Sequence, residues 1–333
     1  MAATIVLLHL VGWGMLLAQS GAGQGGASSG VLGVGLGVTA YVLGMRHAFD
    51  ADHIAVIDNS TRKMLAEGSR PLSVGFWFSL GHSTVVFVLV ALLAAGVSAV
   101  AGQVSEESSA LQQVAGLFGT MVSGLFLLAI ALINSIVLVG LVRILRGMRS
   151  GTLDEAALEA QLQRRGALAR LTGRATRAIN RPWQLYPVGF LFGLGLDTAT
   201  EVSLLVLAGG AAAASLPAFA VLTLPMLFAA GMCLLDTADG LLMFRAYGWA
   251  DDRPGRRIFY NLTVTGLSVG VALLIGGVEL IGVVADRLGI TQGPLAGIAA
   301  IDLNDLGFLV VALFLVVWLG AVAVWKLARW EQS

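Results

Sequence analysis

Apolar stretches long enough to cross a bilayer recur along this chain, and they leave few folds open to it. Eight such segments fall at roughly 3–19, 30–57, 71–99, 114–142, 185–209, 216–244, 259–285 and 306–328. A helix needs about 20 residues, at about 1.5 Å each, to span the hydrocarbon core. Within lipid every backbone N–H and C=O must be paired internally, which a helix does by itself. The sequence therefore predicts an all-α, polytopic integral membrane bundle of about eight transmembrane helices, forming a single transmembrane domain over 1–333. Composition agrees, since only 12% of the residues are charged, about half of the roughly 25% typical of a soluble domain. The second and third segments are longer than a span requires. Gly33, Gly35, Gly37 and Gly44 make the second a candidate for a tilted or broken helix.

Basic residues orient the bundle. Arg62, Lys63 and Arg70 lie between the second and third segments, and nine arginines from Arg143 to Arg181 lie between the fourth and fifth. Arg245, Arg253, Arg256 and Arg257 follow the sixth, and Lys326 and Arg329 end the eighth. Thus 18 of the 20 basic residues fall on one side, with Arg287 on the other and Arg46 inside a segment. Positive loops stay cytoplasmic, which places both termini inside and predicts a multi-pass protein of the bacterial cytoplasmic membrane. The first segment could pass for a signal peptide, but it lacks the basic leading region of one, so a retained span is expected. The inner loop at about 143–182 is the only sizeable soluble segment. Arg170, Arg174, Arg177 and Arg181 share one helical face there. That pattern suits a helix lying on the anionic inner leaflet, or a solvated charged linker. The Gly/Ser/Ala stretch at 21–30 reads as a short outer loop.

Several function classes are excluded early. The net charge is zero, so nothing in it suggests a nucleic-acid partner. One cysteine, Cys233, cannot form an internal disulfide or a thiolate metal cluster. The chain contains no phosphate-binding GxxxxGK[ST] loop.

Ionisable side chains inside spans are costly and are functional candidates for that reason. Here they are concentrated. The second segment holds RHAFDADHIAVIDNSTRK, with Arg46, His47, Asp50, Asp52, His53 and Asp58; the third holds FWFSLGHST, with His82. The fifth holds LFGLGLDTATE, with Asp197 and Glu201, and the sixth LFAAGMCLLDTADG, with Asp236 and Asp239. At about 1.5 Å per residue, His47, His82 and Asp197 come out roughly 16 Å from the inner edge, with Asp236 slightly shallower. Four segments thus offer polar groups in one slab near the bilayer middle, where transporter sites are built.

Within the second segment, an ideal helix puts His47, Asp50 and His53 on one broad face at i, i+3 and i+6. Two imidazoles with a carboxylate suit nickel, cobalt or zinc rather than the all-oxygen shells of magnesium and calcium. Asp52 points roughly 140° from His47 on an ideal helix of 3.6 residues per turn; it is left to pair with Arg46, to orient a ligand, or to bind through a distorted helix. His82 is the expected third imidazole. Asp197, Glu201, Asp236 and Asp239 are either ion-path groups or inter-helix hydrogen-bonding groups. His9 reads as a packed, hydrogen-bonded side chain, Cys233, Met226 and Met232 as packing residues, and Glu279 as a group reaching the outer interface.

HAFDADHI, with a histidine, four residues and then Asp-His, resembles the signature of the nickel/cobalt transporter family (NiCoT). FWFSLGHST, LGLDTATE and LFAAGMCLLDTADG extend the resemblance through the second to sixth segments. It implies an eight-span permease taking up Ni²⁺ or Co²⁺, with His47, Asp52 and His53 as motif residues. The signature stresses Asp52 and the ideal helix favours Asp50; a broken or tightened helix around Gly44–His53 reconciles them. No prosthetic group is expected, and the metal is the transported substrate. The other partner is the lipid bilayer. A negative interior favours inward movement by about 2.3 kcal/mol per charge per 100 mV, so no ATPase subunit is expected. The rivals are a nickel/cobalt exporter, an assembly subunit of a larger importer, and an intramembrane metalloenzyme. Efflux relatives often carry a histidine-rich inner loop, and this loop has no histidine. HExxH is absent, and 4 histidines are too few for a histidine-box oxygenase.

Overall fold

The apolar runs fold into helices throughout. The structure, a computed structural model, describes residues 1–22, 27–66, 68–95, 109–149, 180–195, 199–213, 218–251, 254–303 and 306–327, and among these there is no strand. The helices are α1 (Ala2–Ala22), α2 (Ala27–His47), α3 (Ala51–Ala66), α4 (Val74–Ala94), α5 (Ala110–Arg149), α6 (Leu185–Gly193), α7 (Ala199–Ala213), α8 (Ala218–Asp251), α9 (Pro254–Arg287), α10 (Pro294–Ala299) and α11 (Leu306–Leu327). A single 3₁₀ turn, Pro182–Gln184, precedes α6. Among the described residues, five stretches are long and apolar enough to cross a membrane: Ala2–Gln19, Val74–Ala94, Gln113–Gly140, Ala218–Ala246 and Leu262–Arg287. Leu306–Gly320 is a shorter apolar helix.

Two of the expected segments differ from continuous spans. The second is broken into α2 and α3 within the Gly44–His53 stretch. The Phe49 and Asp50 amides donate to the Arg46 and His47 carbonyls (3.0 and 2.9 Å), tightening the end of α2 into i→i+3 bonds. The Asp50 carbonyl then accepts the Ile54 amide at 3.2 Å, so Asp50 caps the start of α3. The fifth segment is likewise two helices, α6 and α7. Its first part stops at Gly193–Gly195, where a side chain on Gly119 of α5 would collide with the Gly195 backbone. Two helices also extend past the expected segments. α3 runs to Ala66, so Arg62 and Lys63 are buried helical residues rather than loop residues. α5 likewise continues to Arg149. The arginine stripe at 170–177 lies outside the described residues.

Close backbone approach sets the positions of the central helices. α4 packs against α6, α7 and α8. A Cβ on Gly81 would strike the Tyr186 carbonyl, and one on Gly189 the Phe78 carbonyl, so α4 and α6 meet glycine to backbone in both directions. On the opposite flank Gly75 lies against the Asp236 carbonyl of α8. Two large apolar clusters fill the interior, with a small third around Ile5, Phe76 and Cys233. One joins α3, α4, α5, α9 and α11 around Ile54, Ile57, Phe78, Leu127 and Ile275. The other joins α2, α4, α7 and α8 around Val86, Leu204, Leu205, Phe228 and Met232. Large apolar side chains such as Leu10, Val114, Leu132 and Val316 face outward. Asp58, Asn59 and Thr61 of α3 are meanwhile fully enclosed, the reverse of the arrangement in a water-soluble domain.

Candidate metal centre

The seam between the two apolar clusters holds three imidazoles. His47 ends α2, His53 lies in the first turn of α3, and His82 comes from the middle of α4. One nitrogen from each falls within 4.8 Å of the other two, and all three side chains are buried. The His47 and His53 rings meet edge-on at 4.5 Å, and the His82 ring lies 4.6 Å from that of His47. Phe78 stands edge-on to His53 at 4.7 Å, and Phe228 lies 5.6 Å from His47, so apolar rings wall the group on two sides.

Each imidazole faces one carboxylate. Nδ1 of His47 is 2.7 Å from Oδ2 of Asp50 and 2.9 Å from the Thr200 hydroxyl. The approach of Asp50 is a close charge contact and not a hydrogen bond, since its Oδ2 has no hydrogen-bond partner; the Thr200 hydroxyl is what fixes Nδ1 of His47. Nε2 of His47 sits 2.9 Å from Nε2 of His82, which is itself 2.6 Å from Oε1 of Glu201. His53 places Nδ1 3.4 Å from Oδ2 of Asp236, and its buried Nε2 has no hydrogen-bond partner. A carboxylate behind the far nitrogen fixes the tautomer of an imidazole and raises its basicity as a ligand. Asp50 is held in turn by Arg46 at 2.9 Å, whose guanidinium lies 4.9 Å over the Phe308 ring.

The local sequence explains how these groups meet. Breaking a helix at 48–50 turns the end of α2 and the beginning of α3 toward the same place. His47 and His53 can then face each other across the turn rather than stand along one cylinder. Arg46 and His47 lie at the C-terminal end of α2, and Asp52 in the first turn of α3, each on the side its helix dipole favours. Thr200 and Glu201 occupy the first turn of α7, just past the second break.

The nine residues singled out in the sequence are brought together unequally. His47, His53 and His82 form the group, with Asp50, Glu201 and Asp236 against them. Asp52 accepts the backbone amide of His53 at 2.9 Å and lines a cavity beside the break. Asp239 lies a turn further along α8, within electrostatic reach of Asp58 and Asp236. Asp197 lies outside the described residues. Sequence reasoning missed Thr200, whose place directly before Glu201 was the available signal. It also did not assign Phe78 and Phe228 as walls. His9 is hydrogen-bonded, with Nδ1 2.8 Å from the Ile5 carbonyl and Nε2 3.2 Å from the Tyr41 hydroxyl. Cys233 and Met232 are packed in the interior.

Helices with apolar outer faces, wrapped around buried imidazoles and carboxylates, define a polytopic membrane protein with a centre suited to a borderline divalent ion. Residues 33–324 match the NicO family, described as high-affinity nickel-transport protein, and the chain belongs to that family. It is 56% identical to the nickel transporter NicT of Mycobacterium tuberculosis, over 100% of this chain and 89% of the relative. The nickel transporter NixA of Staphylococcus aureus is 43% identical, over 99% and 95% respectively. The cobalt transport protein NhlF of Rhodococcus rhodochrous is 44% identical, over 96% and 89%. No solved structure matches the chain.

Proposed function

We propose that this chain, as a single transporter domain, is a permease of the bacterial cytoplasmic membrane that takes up Ni²⁺ or Co²⁺ through the His47–His53–His82 centre. The observation that carries this reading is the pairing of three buried imidazoles with three carboxylates, Asp50, Glu201 and Asp236. Neutral imidazoles with carboxylates suit nickel and cobalt alike, which agrees with relatives named for either metal. Charge also supports it. The carboxylates beside the imidazoles supply negative charge against a dication in a low-dielectric interior, and Arg46 offsets part of it.

In this mechanism a hydrated ion arrives from outside and exchanges water for Nε2 of His47 and His53 and for a nitrogen of His82. Asp236 holds Nδ1 of His53 and Thr200 holds Nδ1 of His47, with Asp50 beside it, so the Nε2 atoms of both rings face the ion. Asp52 sits at the outer lip and Asp239 on the inner path, with Asp197 assigned to the same path. About eight spans with both termini inside follow from the basic residues, and a negative interior draws the ion inward without an ATPase. No chemical conversion of a substrate is involved. Inward rather than outward transport is supported by the absence of histidine from the long inner loop.

The test is radiolabelled nickel and cobalt uptake into cells or proteoliposomes bearing the wild type, His47→Ala or His53→Ala. Uptake should fall at least about 100-fold in variants that still reach the membrane, since losing a direct ligand exceeds the 10–100-fold typical of an outer partner. Normal inward flux in both variants rules out this centre.

A further inference from the structure

A second polar region lies beside the centre, touching the first motif at its floor and otherwise built from residues outside the four motifs. A cavity of about 640 Å³ is bounded by α5, α9 and α10 and by the break between α2 and α3. Ile275, Glu279, Gly282 and Asp286 of α9 line it at i, i+4, i+7 and i+11, so one full face of that helix fronts the cavity. Its floor is Asp50, Ala51 and Asp52, the residues that begin α3. At about 30 Å³ per water the cavity has room for roughly 20 waters, enough for a divalent ion with its hydration shell.

Glu279 is the unexpected member. The sequence places it near the end of an apolar span, where a carboxylate would reach the outer interface; the structure turns it inward. Ser123 of α5, itself 2% exposed, donates to its Oε1 at 3.0 Å. The helices are close there because a Cβ on Gly276 would come within 2.9 Å of the Gly124 carbonyl. Carboxylates then follow a gradient of burial: Asp286 is exposed, Glu279 and Asp52 half-buried, and Asp50 buried against His47. The cavity carries four carboxylates and one lining cation, Arg287, at its mouth.

We infer that this cavity is the outer vestibule of the permease, in which Glu279 and Asp286 hold the divalent ion with its water still attached before it reaches His47. The inference rests on the metal reading and the orientation given above. Outer-sphere attraction of this kind concentrates the ion and raises its rate of capture without fixing its ligands. It also weakens with salt, because the screening length shrinks from about 30 Å at 0.01 M to about 8 Å at 0.15 M.

Nickel uptake by Glu279→Gln and by Glu279→Gln/Asp286→Asn tests it, together with nickel bound to each purified full-length protein at saturation. Glutamine still accepts from Ser123, so only the charge is removed. The apparent KM should rise about 10-fold at low ionic strength with Vmax kept within about twofold, the low end of local ion enrichment by a charged cleft. The double variant should also lose most of the wild type's salt dependence, while Glu279→Asp stays near wild type and bound nickel is unchanged. A KM and salt response equal to wild type overturns the vestibule, as does loss of bound nickel or a Glu279→Asp variant as impaired as Glu279→Gln. His47→Ala, measured alongside, separates the two ideas: if it transports normally the metal reading fails, and if it alone is inactive the vestibule fails.

Discussion

The α2/α3 break and the α6/α7 break bring similar backbone ends to one place but supply different chemistry. Each is a pair of helices interrupted within an expected span, and each is followed by an unbroken helix, α4 or α8, that completes its side of the centre. The first half contributes every imidazole: His47, His53 and His82. The second contributes Thr200, Glu201 and Asp236, which approach those imidazoles at 2.9, 2.6 and 3.4 Å. The first half thus offers all the imidazoles and one carboxylate, Asp50, and the second adds two carboxylates and a hydroxyl against them.

That division of labour can be broken by experiment. The largest effect is expected for His82→Ala, which removes a nitrogen ligand and should abolish measurable high-affinity nickel binding to the purified protein. Asp236→Asn removes the carboxylate behind His53 and should weaken binding by about 10–100-fold; Glu201→Gln, whose carboxylate meets the Nε2 of His82 that faces His47, should fall in the same range. If Glu201→Gln is as damaging as His82→Ala, the second half ligates the ion directly and the contrast collapses.

Acid should sharpen the same contrast. An imidazole binds metal only when deprotonated, and its ordinary pKa is about 6.5, against about 4 for a carboxylate. Affinity governed by the first half should therefore hold above about pH 7 and fall through pH 6, by up to tenfold per unit for each proton displaced. Nickel binding between pH 5 and 8 measures this, and a flat profile down to pH 5 would point to the carboxylates as the ligands. The smallest effect belongs to the support of α3. Asn134 of α5 donates to Asn59 at 2.7 Å, and Arg62 shares that acceptor at 3.2 Å. Asn134→Ala should cost about 1 kcal/mol, read as a small drop in thermal stability in detergent, with nickel affinity little changed.

The sequence was most informative where polar residues interrupted apolar ones. His47, His53 and His82 stood out because an imidazole in such a run demands a partner, and the depth estimate brought four segments to one slab. The conflict between Asp50 and Asp52 was itself a signal, because no single straight helix satisfied both and a break did. Hydropathy counts composition and not direction, so other features stayed hidden. The inward turn of Glu279 depends on a glycine contact between α5 and α9, which no local pattern reveals. The second break had no such conflict to announce it. α3 was harder still: its Asp58–Lys63 run looks like a loop, yet it is an interior helix whose polar groups meet Asn134 and Asn180 on other segments.

The turn at 48–50 owes part of its shape to the far end of the chain. Phe308 stacks on Phe49 at 4.7 Å, and Gly307 lies so flat against the Phe49 carbonyl that no side chain would fit between them. In mechanical terms α11 is a keystone, a piece that bears on the arch without being part of the opening beneath it. A chain shortened before residue 306 retains every histidine and carboxylate of the centre but loses the piece that wedges their turn in place. In a truncation series, α11 would register as essential although it contributes none of the proposed ligands.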